Sequence, residues 1–219
     1  MSNFTSHCIA ARFGSAEVEK ARLGGSRETS GVSPLFRKRE SQMIVREAHS
    51  ADAPAIGQVQ VDSWRTTYAG IVPADYLASL SYEQQGQVWE RYISTLSDAA
   101  AMYVAEAVTG EVVGFAHSGP ERSGHKIYTG ELYAIYLLAA YQRQGLGRQL
   151  MRATVNGLLQ HGLPSMLVWV LADNSSRAFY EALGGQQVAE QEITIGAARL
   201  TEVAYGWRDI RGLAVGIDD

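Results

Sequence analysis

Residues 132–141 are ten apolar or tyrosine side chains in a row, and they run directly into Gln142-Arg143-Gln144-Gly145-Leu146-Gly147 before a helical pattern begins. That junction constrains the fold more than any other stretch. The apolar run is half the length of the ~20 residues that a membrane span needs, and it suits one buried strand. Leu146, Leu150, Thr154 and Leu158 then recur at helical spacing. A strand leaving through glycines into a helix start presents backbone N–H groups and the positive end of the helix dipole, which together suit an anion such as phosphate. Glycine also lets a ligand approach the backbone closely. A plain strand-to-helix turn would use the same residues, so the spacing must decide.

The spacing excludes two familiar phosphate loops. A dinucleotide fingerprint needs a third glycine where Leu150 stands, and GxxxxGK[ST] is absent. After the helix, "MLVWVLA" reads as a second buried strand. The strand-helix-strand unit 131–171 therefore predicts one parallel pair. Hairpins are predicted on both sides of it: "AMYVAEA" with "VVGFAHSG" across a "VTGE" turn, and "QQVAEQEITI" with "RLTEVAYGW" across "GAA". With "MIVREA" the count is about seven strands in a mixed, mostly antiparallel sheet flanked by helices.

Before the hairpins, Asp52 is placed to cap a first helix with Pro54 in its opening turn. Ile56, Val59 and Ser63 share a face of that helix. "WRTTYAGIVP" reads as a bend. Ser81 and Gln84 form a capping box for a second helix, whose apolar side is Val88, Trp89, Tyr92, Ile93 and Leu96. "SSRAFYEAL" is a short helix stopped by Gly184-Gly185.

Residues 1–42 differ in kind. They are rich in Gly, Ser and charge, without sustained periodicity, and read as an N-terminal tail of native, targeting or vector origin. The folded domain is expected over 43–210 and a C-terminal tail over 211–219. A net charge of −4 argues against a nucleic-acid partner, and no run is long enough for a membrane helix. One cysteine, Cys8, allows no intrachain disulfide and fits the cytoplasm. Five scattered histidines and no HExxH pair give no expectation of a metal.

Gln142-x-x-Gly145-x-Gly147 resembles the Q/R-x-x-G-x-G/A signature of the GNAT acetyltransferase superfamily. "LADNSSRAFYEALGG" is similar to that family's downstream N-x-x-x-x-F-Y-E-x-x-G segment. "SWRTTYAGIVPADYL" and "EVAYGW" extend the likeness over about residues 43–210, and Ala139 departs from the proline that many members carry there. The resemblance implies a GNAT fold with a splayed parallel central pair, acetyl-CoA as co-substrate without a metal, and transfer of acetyl to a primary amine. It implies a cofactor cradle of Gln142, Arg143, Gln144, Gly145, Leu146, Gly147 and Arg148, with backbone at Tyr136 and Leu137 and the side chain of Asn174 along the pantetheine.

The resemblance also places Tyr180 at the thioester sulfur as general acid. Neighbouring helical residues point about 100° apart, so Phe179 is expected in the core and Tyr180 projecting sideways. Glu131, 14 residues before Gly145, occupies the offset at which some members hold a base. By alternation it should share a face with Tyr133, Ile135 and Leu137; a solvated strand end is the other reading. Trp64, Tyr68 and Tyr133 are expected to wall the acceptor pocket. The acceptor is expected to be a primary amine of a small molecule, with a peptide or protein acceptor, or an idle acyl-CoA-binding module, as the alternatives. Exposed strand edges suit a homodimer.

Overall fold

The structure, a computed structural model, describes residues 42–215. The tail expected over 1–42, including Cys8, lies outside these residues apart from Gln42. Among the described residues, seven strands form one sheet: β1 (Ile44–Glu47), β2 (Ala101–Glu106), β3 (Val112–Pro120), β4 (Gly130–Leu137), β5 (Met166–Leu171), β6 (Gln186–Ile195) and β7 (Ala198–Trp207). Their order is β1-β2-β3-β4-β5-β7-β6. Every neighbouring pair is antiparallel except β4–β5. That parallel pair is brief: Gly130 faces Met166 and Glu131 faces Leu167, and the ladder stops there. The rest of β4 and β5 diverges, which opens a gap in the middle of the sheet.

Helix α1 (Ala53–Thr67) and helix α3 (Tyr82–Ser94) cover one face. Ile56 and Val59 pack on Met102, Val104, Phe115 and Ala134, with Trp89 and Ile93 against them. The two helices cross at glycine. A Cβ on Gly57 would come within 2.5 Å of the Gly86 backbone nitrogen, so only hydrogen fits. Helix α4 (Leu146–Gln160) covers the other face, where Leu146, Leu150, Met151, Val155 and Leu158 meet Leu132, Met166, Val168 and Val170.

Local readings needed amendment in several places. Asp52 precedes α1 but makes no cap bond to it. Its carboxylate accepts the His49 N–H at 2.8 Å and both Arg46 terminal nitrogens, at 2.8 and 2.9 Å. The Arg46 guanidinium holds it below the usual aspartate range. "WRTT" belongs to α1, not to a bend. Helix α2 (Ala74–Ser79) follows, where tertiary contact of Leu77 with the Trp64 cluster supports a helix too short for periodicity to reveal. Ser81 Oγ does accept the Gln84 N–H, at 3.4 Å. The segment read as a C-terminal tail begins with a helix, α6 (Arg211–Val215), whose Leu213 and Ala214 pack on the main core.

Strand β4 departs from strict alternation. Ser118 pairs with Leu132 and His117 with Ala134, leaving Tyr133 as the extra residue of a bulge. Leu132, Ile135 and Leu137 therefore reach the α4 side, while Ala134 and Tyr136 reach the α1 side. The expected common face of Glu131 with Ile135 and Leu137 is lost at that bulge.

Candidate active site

Where β4 and β5 part lies a cleft of about 510 Å³, part of which is open to solvent. Strand β4 contributes Ala134 to Leu137, β5 contributes Trp169 and Val170, and α1 with its C-terminal residue contributes Ser63, Thr67 and Tyr68. Gln142, Asn174, Ser176 and Tyr180 complete the wall. Among the described residues, none in this lining carries a formal charge at neutral pH.

The glycine turn stands at one end of the cleft. Gly145, at φ +85°, is the N-terminal cap of α4, and Arg143 adopts the left-handed region as well, at φ 61°. A side chain in that region is uncommon and costs about 1–2 kcal/mol. The amides from Leu146 to Arg148 precede the first intrahelical bond of this end, from Gln149 N–H to the Gly145 carbonyl at 3.1 Å. Among the described residues, nothing lies within 4 Å of a Cβ built on Gly145. The loop thus meets the requirements of an anion cradle. The Leu146 side chain serves the core, fully buried, so only its backbone can serve a ligand. Gln142 Nε2 donates to the Leu137 carbonyl at 3.0 Å, and Gln144 Nε2 to the Ala140 carbonyl at 2.9 Å. These side chains brace the turn between strand and helix.

Tyr180 lies on α5 (Arg177–Ala182). It is 5% exposed, packed beside Phe179, Tyr205 and Trp207, and still lines the cleft. The expected division of labour is reversed, because Phe179 is the half-buried ring and packs beside Gly147. Asn174 is buried. Its Oδ1 accepts the Ser176 N–H at 2.8 Å, and its Nδ2 donates to Tyr68 Oη at 3.4 Å.

The expected acceptor residues divide into two groups. Tyr68 lines the cleft. Trp64 stands behind it, edge-on to Tyr68, and its indole N–H donates to Tyr136 Oη at 3.0 Å. Tyr133 is elsewhere: its hydroxyl donates to the Pro120 carbonyl, its ring lies 3.7 Å under the Arg122 guanidinium, and it is absent from the cleft wall. Burial pushes its phenol well above the ordinary range.

Glu131 joins that second cluster. It is fully buried at the last position where β4 pairs with β5, outside the cleft lining. Arg122 grips it through Nη2 at 2.7 Å, and through Nε and the backbone N–H at 3.2 Å each. His117 faces the same cluster, with its ring 4.6 Å from that of Tyr133 and 4.7 Å from that of Tyr92. Burial, aided by the Arg122 cation, brings the imidazole down to about 3. Sequence reasoning missed both Arg122 and His117. Each lies on or after a strand whose local pattern gave no sign of a partner across the sheet.

A brief parallel pair that splays at the N-terminus of a glycine-capped helix defines an α/β fold with a cleft in the middle of its sheet. Residues 61–185 match the acetyltransferase (GNAT) family. Over 171 residues the chain is 47% identical to YuaI of Bacillus subtilis (strain 168), an uncharacterized N-acetyltransferase, covering 78% of this chain and 96% of that one. Among solved structures, yncA of Salmonella typhimurium with acetyl-CoA superposes at a TM-score of 0.59 and 22% identity, covering 76% of this chain and 94% of the other. An N-acetyltransferase from Staphylococcus aureus Mu50 does so at 0.61 and 21%, covering 78% and 100%. The chain belongs to the GNAT acetyltransferase family and is an N-acetyltransferase. Among the described residues, no helix is long and apolar enough to cross a membrane.

Proposed function

We propose that this enzyme moves the acetyl group of acetyl-CoA directly to a primary amine of a small molecule. The observation that carries the reading is the position of Tyr180 and Asn174 across the splayed gap from Tyr136 and Leu137. Acetyl-CoA fits the residues present. The amides of Leu146, Gly147 and Arg148, with Arg143 nearby, would hold its pyrophosphate. Beyond Glu131, β4 has no ladder partner in β5 among the described residues, so its backbone is suited to amide groups of an extended arm. When bound, the co-substrate supplies an activated thioester.

The chain's own residues then meet three requirements. A backbone N–H near Leu137 can stabilise the oxyanion. Tyr180, with a reference pKa near 10, can donate a proton to a departing thiolate whose thiol titrates near 8.5. The amine must arrive deprotonated, and among the described residues the cleft lining holds neither carboxylate nor imidazole. Glu131, gripped by Arg122, is assigned to holding the β3–β4 connection in place. Free amine is therefore drawn from solution or loses its proton to water. Uncharged walls and the enclosing aromatic groups of Tyr68 and Tyr136 favour a small acceptor. An acceptor screen that follows CoA release, spanning amino acids, monoamines, polyamines, aminoglycosides and peptides, tests the reading. Rapid turnover confined to peptides would replace it with a peptide acetyltransferase.

A further inference from the structure

We propose that Ser63 receives the attacking nitrogen of the acceptor amine; this rests on the reading of the cleft as an amine acetylation site. Ser63 is 2% exposed, lines the cleft, and its Oγ has no hydrogen-bond partner among the described residues. Buried hydroxyls are nearly always paired, so an unpaired one calls for an explanation. The usual partner in a helix is a carbonyl one turn back. Thr66, three residues on, satisfies its hydroxyl in that way, on the carbonyls of Asp62 and Ser63. Ser63 does not. Its helix is otherwise apolar on this side, with Ile56 and Val59 in the core.

The location suits a nucleophile. Trp64, the next residue, is tied to Tyr136 on β4, and Tyr68, one turn further, is tied to Asn174 beyond β5. These two bonds fix this end of α1 across the gap. Tyr180 belongs to the core on the α4 face, whereas α1 packs on the opposite face. Ser63 and Tyr180 thus flank the gap from opposite sides of the sheet, one toward the entering nitrogen and the other toward the leaving sulfur. In the transfer, the nitrogen–carbon bond forms, the carbon–sulfur bond breaks, Tyr180 protonates the sulfur, and the nitrogen releases its surplus proton to water, which in turn restores Tyr180. Ser63 Oγ accepts one N–H of the incoming amine and so directs its lone pair toward the thioester. A hydroxyl is too weak a base to remove that proton, so its part is orientation.

The test uses the full chain, acetyl-CoA, and four probe amines: n-butylamine, 2-phenylethylamine, spermidine and glycine ethyl ester. CoA release is followed for the wild type, Ser63→Ala and Ser63→Cys. The expected result is at least about a tenfold rise in KM for the accepted amine in Ser63→Ala, a smaller rise in Ser63→Cys, and unchanged calorimetric affinity for acetyl-CoA. The alanine variant should melt no lower than the wild type, because it loses a buried hydroxyl that had no partner. A lowered Tm with unaltered amine KM would make Ser63 structural and overturn the proposal, as would unaltered amine KM at unaltered Tm. If no amine accelerates CoA release by the wild type, the small-amine reading falls and this inference with it.

Discussion

The Asn174 side chain donates from Nδ2 to Tyr68 Oη, joining residues 106 positions apart at 3.4 Å. One belongs to the wall expected to follow pantetheine, the other to the acceptor wall. The same asparagine organises the entry to α5 by accepting the Ser176 N–H. Asn174→Ala should therefore damage both walls, with a stability loss of about 1–3 kcal/mol from two hydrogen bonds. Acetyl-CoA affinity and amine KM should both worsen. Tyr68→Phe should cost about 1 kcal/mol and alter amine KM alone. Denaturant unfolding and initial-rate kinetics separate the two.

Tyr180→Phe keeps the ring's packing against Phe179, Tyr205 and Trp207. It removes only a hydroxyl. If that hydroxyl protonates the leaving sulfur, kcat should fall roughly 10²-fold with KM for acetyl-CoA little changed. Single-turnover rates give the answer. An unchanged chemical step would assign Tyr180 to packing.

Glu131→Gln should behave as a structural lesion. It removes the charge that Arg122 engages from a fully buried site, while Arg122 keeps 40% of its side chain in solvent. Partial exposure moderates the penalty, and a loss of about 1–3 kcal/mol is expected. The pH–rate profile should keep the wild-type shape. A variant rescued selectively at high pH would instead make Glu131 the base that the sequence resemblance implied.

His117 should make the fold acid-sensitive well above the aspartate range. Its folded value, about 3, lies below the ordinary 6.5. The unfolded chain therefore binds the extra proton first. The stability contribution is full above about pH 6.5 and declines as pH falls toward 3, with a limiting slope of about 1.4 kcal/mol per pH unit. His117→Gln should flatten that segment in urea titrations between pH 7 and 4. An unaltered slope would show that other groups dominate.

The sequence alone determined the parts whose signal is local. The apolar run before Gly145, the periodic helix after it, the two hairpins and the loop chemistry depend on neighbours a few residues apart. Glycine spacing and helix-start amides are properties of consecutive backbone units, so the glycine turn and the helix start after it were legible without tertiary information. Tertiary structure decided what depends on the sheet's lateral neighbours. Strict alternation placed Ile135 and Leu137 beside Glu131, but the bulge at Tyr133, set by pairing with β3, reversed their face. Glu131, for which the resemblance implied a base and the residues also allowed a solvated strand end, is buried and paired because the β3–β4 connection brings Arg122 onto it. Phe179 and Tyr180 exchanged their expected burial because α5 docks with Tyr180 toward Tyr205 and Trp207. Ser63, seen in sequence only as part of a helix face, gained meaning when burial left its hydroxyl without a partner among the described residues beside the cleft. Burial and partnership are set by chain segments many residues away, and no local pattern encodes them.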